Sequence, residues 1–292
     1  MHILVTGAGG FSGSHIAAAL LARGHHVLAA VGRSRERLDA LAGSHEGLTV
    51  VSGDLAAGLD LPGRLDAIVH AAARSPAPGV TDADMERANV RGTAQVIALA
   101  RRMGTATVLY LSSLSIYGEI SDPEVSERTP IRNPDVYGQT KYRGEELLRA
   151  EPMLRSLAIR LPGVLGPHSV RNWLTGVLAK AKAGADIRFY NPDSAFNNAI
   201  HVDDLAHLVV RTVERPDWTG HHAITVGAAG MTTVGRAVGI LVQTAGSRSR
   251  LIKEDSRQRG FTISNETAIR QFGYAPMDIE AMLRRFTAEN PG

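Results

Sequence analysis

The chain has no cysteine in 292 residues. That excludes disulfides, thiol catalysis and cysteine-based metal sites. Lysine is also scarce: there are four, Lys141, Lys180, Lys182 and Lys253, against 28 arginines. No apolar run approaches the roughly 20 residues that span a bilayer. No charged stretch precedes an apolar one at the start, so a signal peptide is not expected and the expected location is the cytoplasm. The net charge of +3 is small and the basic residues are dispersed, which argues against nucleic acid as a partner. The 11 histidines form no HExxH or similar ligand spacing, so no metal is expected. A small molecule is the partner class that remains.

What is present is a rhythm of short apolar runs and helical patterns. Strands are predicted over "HILVT" (2–6), "HVLAAV" (26–31), "LTVVSGD" (48–54), "DAIVHAAA" (66–73), "ATVLYLSS" (106–113) and "RSLAIRLPG" (155–163). Helices are predicted at 11–24, 34–42, 83–103 and 135–150. Apolar strands in a βαβα order imply an α/β fold with a doubly wound parallel sheet. After about residue 163, Gly, Pro and Asn become frequent, and helices are expected near 170–183, 203–214, 232–245, 264–272 and 277–288. "HAITVG" (222–227) reads as a strand returning to the sheet. The expected organisation is a nucleotide-binding domain over 1–162, with segments near 199–227 rejoining it. A smaller, interleaved C-terminal lobe over 163–198 and 228–292 would bind substrate.

"VTGAGGFSG" (5–13) links the first strand to the first helix. Gly7 permits a tight turn, Gly10 lets the backbone approach a pyrophosphate, and Gly13 lets the helix pack closely. The helix start at Phe11 and Ser12 offers N–H donors to an anion. This is the phosphate cradle of a Rossmann dinucleotide site. No acid ends the second strand in "AAVGRS", and Arg33 follows it. An arginine there suits the 2′-phosphate, so NADP is favoured over NAD.

Tyr137 and Lys141 in "DVYGQTKYRG" share one face of a helix at i and i+4. A cation beside a phenol lowers its pKa, so Tyr137 could exchange a proton while hydride moves to or from a nicotinamide. "YLSSLSIYG" (110–118) places hydroxyls at a strand end, where parallel sheets bind ligands.

With TGxxGxxG at 6–13, "GDL" at 53–55, "HAAA" at 70–73, "NVRGT" at 89–93, "SSLSIYG" at 112–118, YxxxK at 137–141, "RLPGVLGP" at 160–167 and "IHVDDLA" at 200–206, the chain resembles the extended short-chain dehydrogenase/reductase family. The group comprises NAD(P)-dependent sugar epimerases, dehydratases and reductases. The resemblance implies Tyr137 as proton donor/acceptor, Lys141 as its partner and Ser113 as the catalytic hydroxyl. It implies that Asp54 and Leu55 contact the adenine, Ala71 and Ala72 the phosphate and ribose, and Pro162 and Gly163 the nicotinamide. A homodimer packed through the helices at 83–103 and 135–150 is also implied, with Ala94, Ala98 and Leu99 fitting either an interface or a core. Asn89 is read as a structural hydrogen-bonder, Asp203 and Asp204 as helix N-caps, and His201 as a core or loop histidine.

Two departures narrow the chemistry. Leu114 and Ser115 follow Ser113, where the family's 4,6-dehydratases carry acids. Asn197 stands where sugar-nucleotide members usually place an arginine; Arg171, Arg257 or Arg259 could substitute. Arg171, Asn172, Asn197 and Asn198 are the candidate substrate contacts for a sugar-like molecule. The expected activity is hydride movement at a carbinol/ketone carbon, by an epimerase or by a reductase. A catalytically inactive NADP-sensing or scaffold protein is the alternative.

Overall fold

The computed structural model describes residues 1–32, 35–42, 45–170, 172–215, 217–256 and 260–291. Arg33, Arg171, Arg257 and Arg259, singled out above, lie outside the described residues. The chain begins β1 (His2–Thr6), α1 (Phe11–Ala22), β2 (His26–Val31), α2 (Glu36–Ala42), β3 (Leu48–Ser52) and β4 (Ala67–His70). Next come α3 (Asp82–Met85), a π-helical segment (Glu86–Arg91), α4 (Gly92–Met103), β5 (Thr107–Ser113), a 3₁₀ turn (Leu114–Tyr117) and β6 (Glu124–Val125). Then follow α5 (Val136–Arg149), β7 (Arg155–Leu161), β8 (Gly163–Leu165), α6 (Trp173–Lys182), β9 (Ile187–Tyr190), β10 (Ala195–Phe196) and β11 (Ala199–His201). The chain ends with α7 (Val202–Glu214), β12 (His221–Thr225), β13 (Thr232–Thr233), α8 (Val234–Thr244), β14 (Leu251–Glu254), β15 (Thr262–Ile263), α9 (Glu266–Phe272) and α10 (Ile279–Glu289).

Two compact units result. The first comprises Met1–Glu119, Pro130–Arg160 and Leu205–Ile224. It holds a seven-stranded sheet in the order β12-β7-β5-β4-β1-β2-β3. β1 pairs in parallel with β2 and β4, as do β2 with β3 and β4 with β5. The fold class is thus the α/β Rossmann type expected from the alternating apolar strands. Leu4, Ile68, Val108 and Tyr110 pack with Val96, Leu99 and Ala100 of α4 and Leu148 of α5. Each such aliphatic side chain contributes about 1.5–3 kcal/mol when fully buried. The helix predicted over 83–103 is divided by the π-helical segment, a feature period-3.6 reading does not separate. Ala94 and Ala98 are exposed on α4, whereas Leu99 is buried.

The second unit comprises Ile120–Thr129, Leu161–Asp204 and Thr225–Gly292. Its core joins Leu174, Val177 and Leu178 of α6 to Val238 and Leu241 of α8 and Met282, Leu283 and Phe286 of α10. Four strand pairs brace it: β8 with β11, β9 with β14, β10 with β13 and β6 with β15. These strands are two to four residues long, too short for period-2 alternation to mark them.

Candidate active site

The cradle after β1 is built from contacts only glycine permits. Gly7 has φ +67°, and a Cβ there would lie 2.6 Å from the Ala72 backbone. A Cβ on Gly13 would lie 2.2 Å from the Gly7 carbonyl oxygen, so the close approach is between helix and turn. Gly10 N donates to Gly7 O at 2.9 Å and stands at the N-cap of α1 with no side-chain cap. The first amides of the helix, from Phe11 and Ser12 on, are therefore open to an anion. This donor set fits a dinucleotide pyrophosphate. The Arg37 guanidinium carbon lies 5.7 Å from the centre of the Phe11 ring, a cation at the cradle. Asp54 caps the 3₁₀ turn Leu55–Ala57 by accepting from Ala56 N at 3.0 Å. It also pairs with Arg87, whose hydrogen bond holds its carboxyl below the usual range. Leu55 packs against the sheet core.

Ala71 and Ala72 are placed against this cradle by a buried hydrogen-bonded chain. Ala71 N donates to Thr6 O at 3.2 Å, and Ala72 N to Thr6 Oγ1 at 3.3 Å. Thr6 Oγ1 meets His70 Nδ1 at 2.7 Å, His70 Nε2 meets Thr93 Oγ1 at 3.0 Å, and Thr93 Oγ1 donates to Asn89 O at 2.5 Å. Thr93 spends its proton on a carbonyl, so it accepts from Nε2–H. His70 is then the Nε2–H tautomer and Nδ1 accepts from Thr6. Burial, together with the Lys141 charge, pushes His70 down to about 3, in keeping with a neutral ring. The "HAAA" motif was legible in the sequence, but the role of its histidine as the hub of this chain was not.

The second group lies where β5 ends. Asp135 caps α5 by accepting from Gly138 N at 2.7 Å, and the helix then presents Tyr137, Lys141 and Glu145 on one face. Ser113 Oγ accepts from Ser115 N at 3.1 Å and donates to Ser115 Oγ at 3.1 Å. Gly138 of α5 packs on the Ser115 carbonyl, which sets Tyr137 near this strand end. The lysine differs from expectation. Its ammonium lies 3.9 Å from the centre of the Tyr110 ring, and burial pushes it down to about 7, opposed by Glu145. The Tyr137 phenol is not lowered but raised. Burial dominates, the nearby Ser113 hydroxyl opposes it, and the Asp135 charge adds to it. Asn89, in the π-helical segment, accepts from Arg74 N at 2.6 Å and donates to Arg74 O at 3.0 Å and Thr140 Oγ1 at 2.8 Å.

In the second unit, several predicted substrate contacts are committed elsewhere. Asn197 is buried. Its Oδ1 accepts from Ile263 N at 2.7 Å, and its Nδ2 donates to Ile263 O at 2.8 Å and Ala228 O at 3.5 Å. The amide mimics a strand partner, so it is not a free substrate contact. Asn172 caps α6, accepting from Leu174 N at 2.8 Å. A Cβ on Gly163 would lie 1.9 Å from Asn172 Nδ2, so this side chain lies on the start of β8. Pro162 and Gly163 are half-buried there. Asn198 Oδ1 is buried and, among the described residues, has no hydrogen-bond partner. Asp203 and Asp204 stand in the first turn of α7, but Asp203 pairs with Arg285 and Asp204 accepts from Met277 N at 2.9 Å. The residue before Val202 is His201, and its Nδ1 accepts from Asp203 N at 3.2 Å, so the histidine takes the capping place. His201 is buried, with Nε2 3.0 Å from Glu289. His201, Asp203 and Glu289 could group around a cation, yet Arg285 already pairs with both carboxylates.

Comparison with known proteins agrees with this geometry. Residues 3–227 match the family model described as "NAD dependent epimerase/dehydratase family". The chain is 28% identical to a dTDP-glucose 4,6-dehydratase of Streptomyces griseus, covering 94% of this chain and 89% of that one. It is 30% identical to a 2-alkyl-3-oxoalkanoate reductase of Stenotrophomonas maltophilia, covering 72% of this chain and 64% of that one. Among solved structures, UDP-glucuronic acid 4-epimerase from Bacillus cereus in complex with NAD superposes with a TM-score of 0.85 at 21% identity, covering 99% of this chain and 98% of that one. That last likeness concerns the fold. The chain is a member of the NAD-dependent epimerase/dehydratase family, of the extended short-chain dehydrogenase/reductase type.

Proposed function

We propose that this protein moves hydride at a carbinol/ketone carbon of a sugar-like substrate, with Tyr137 as the acid/base. The observation that carries the reading is the packing of the first turn of α5 on the turn after β5, Gly138 on Ser115, which sets Tyr137 beside the strand end that bears Ser113, with Lys141 one helical turn on. Ser113 orients the substrate oxygen, and Tyr137 gives or takes its proton at the phenolic oxygen. Lys141 supplies positive charge and donors to the cofactor ribose. The dinucleotide, when bound, supplies or accepts the hydride. Gly7, Gly10, Phe11, Ser12 and Gly13 would hold its pyrophosphate, with Asp54, Leu55, Ala71 and Ala72 around its adenosine part.

NADP is favoured over NAD by Arg33, by the missing acid after β2 and by Arg37 beside Phe11. The relatives that bind or act with NAD leave NAD as the second choice. Leu114 and Ser115 after Ser113 favour a reductase or epimerase over a dehydratase. Segments 163–198 and 228–292 select the substrate, Asn198 being the asparagine best placed to do so. A homodimer through α4 and α5 is the proposed assembly.

The test uses reduced cofactor deuterated at the transferring carbon and a panel of sugar-like ketones. Deuterium in the product supports the reading. Tight cofactor binding with no transfer across the panel favours the sensing or scaffold alternative.

A further inference from the structure

The buried chain around His70 does not stop at Asn89. Thr93 donates to the Asn89 carbonyl, and Nδ2 of the same asparagine donates to Thr140 Oγ1 at 2.8 Å. Thr140 Oγ1 in turn donates to the Tyr137 carbonyl at 2.8 Å. At the other end, the Ala72 amide donates to Thr6 Oγ1 at 3.3 Å. Thr6, His70, Asn89, Thr93 and Thr140 are all buried, none more than 2% exposed.

Proton counting fixes the direction of the chain. Each threonine hydroxyl has one proton to give. Thr140 spends its proton on Tyr137 O and Thr93 on Asn89 O, so Thr140 accepts from Asn89 Nδ2 and Thr93 from His70 Nε2–H. His70 Nδ1 is then an acceptor, and Thr6 gives it a proton. Every hydrogen bond from Ala72 to Tyr137 therefore points the same way, with Asn89 passing the chain from its carbonyl to its side-chain amide. Both ends are backbone groups, so the chain holds parts in place and conducts no proton. Those ends are the two places the reaction must bring together. Ala72 lies against Gly7 of the cradle, where a Cβ on Gly7 would come within 2.6 Å of the Ala72 nitrogen. Tyr137 stands in the first turn of α5. Gly138 sets that turn against the end of β5, and the chain sets it against the cradle. Stability alone does not call for such a chain, since buried polar partners replaced together by apolar groups of the same shape cost little.

We infer that His70 is a positioning residue: as the Nε2–H tautomer it carries a one-way chain of hydrogen bonds from the Ala72 amide at the cradle to the Tyr137 carbonyl, and so fixes Tyr137 relative to the cradle. Thr140 is the link through which it acts on α5. A neutral imidazole accepts at one ring nitrogen and donates at the other, which suits the gap between Thr6 and Thr93. The inference rests on the acid/base role proposed above for Tyr137, since a proton and a hydride that move at one carbon need their donors held in one geometry.

The test reads the ring and the turnover separately. In the full chain carrying isotope-labelled histidine, the two His70 ring nitrogens are assigned by through-bond correlation to the backbone and observed by NMR at neutral pH. The expected spectrum shows a protonated Nε2 and a bare Nδ1. A protonated Nδ1, alone or in an imidazolium, overturns the inference. Turnover and cofactor affinity are then measured in Thr140→Val, Thr140→Ser, His70→Gln and the double variant His70→Gln/Thr140→Val. Thr140→Val lowers kcat by about 10²-fold, the scale of a 1 Å misplacement, with the cofactor Kd unchanged. Thr140→Ser, which keeps the hydroxyl, restores kcat. His70→Gln adds little to the kcat loss in Thr140→Val, because the one chain is already broken. Wild-type kcat in a folded Thr140→Val overturns the inference, as does a double variant whose loss is the product of the two single losses. If His70→Gln does not fold, the ring spectrum and the two Thr140 variants still decide. Full turnover in Tyr137→Phe removes the acid/base reading instead and leaves the His70 spectrum unchanged, so the two failures are told apart.

Discussion

The backbone of Gly138 meets that of Ser115: a Cβ on Gly138 would lie 2.2 Å from the Ser115 carbonyl oxygen. That contact lets the first turn of α5 lie against the 3₁₀ turn after β5, and so brings Tyr137 within reach of Ser113. Gly138→Ala must push the two apart. Overpacking of this kind costs about 1–3 kcal/mol. Thermal unfolding should show that loss, and turnover should fall further than the stability change explains. Wild-type turnover in a folded Gly138→Ala variant would show that the spacing is not needed.

His70 makes acid stability measurable. The unfolded chain binds a proton at this ring below its ordinary value of 6.5, while the folded protein resists until about 3. The folded pKa is depressed, so stability is lost as pH falls through that window, by up to about 1.4 kcal/mol per pH unit. His221, held down to about 4 chiefly by burial, acts in the same direction. In His70→Asn, denaturant unfolding should show lower stability at pH 7 but a shallower decline between pH 6.5 and pH 4. Parallel declines in the two proteins would contradict the neutral buried ring.

Asn197→Ala separates structure from recognition. It leaves the Ile263 amide and carbonyl without their side-chain partner, at a cost of about 1–3 kcal/mol for an orphaned buried group. Calorimetry should show the loss, and the KM of the folded variant should stay at the wild-type value. A large rise in KM with unchanged stability would restore Asn197 as a substrate contact.

The proposed preference for NADP rests on the arginines near β2. Titration of cofactor-free protein should give NADPH binding at least about tenfold tighter than NADH, the scale of one charge-assisted contact. Arg37→Ala should narrow that gap. Equal affinities, or retained NAD in the purified protein, would point to an epimerase and leave these arginines to the solvent.

Much of the site was legible because its parts are local. The cradle at 7–13 is a turn whose glycines follow from backbone geometry, and Tyr137 and Lys141 share a face by helical spacing alone. The strands of the seven-stranded sheet were legible as apolar runs along the chain, but their order in the sheet was not. What sequence could not give depends on distant partners. Asn197 is occupied by Ile263, 66 residues on, and Asp203 by Arg285. The rise in the Tyr137 phenol depends on burial, which no four-residue spacing reports. Two-residue strands such as Glu124–Val125 exist through pairing with Thr262–Ile263, and carry no pattern of their own.

In the proposed reaction Tyr137 exchanges the proton that accompanies hydride transfer. The most direct measurement is the near-ultraviolet absorbance of the reduced nicotinamide, followed in wild type and Tyr137→Phe with the same carbonyl substrate and saturating cofactor. Loss of a positioned acid/base lowers turnover by about 10²–10⁴-fold. The account predicts a loss of that size, with cofactor affinity unchanged and the protein still folded. Equal rates in the two proteins would contradict it.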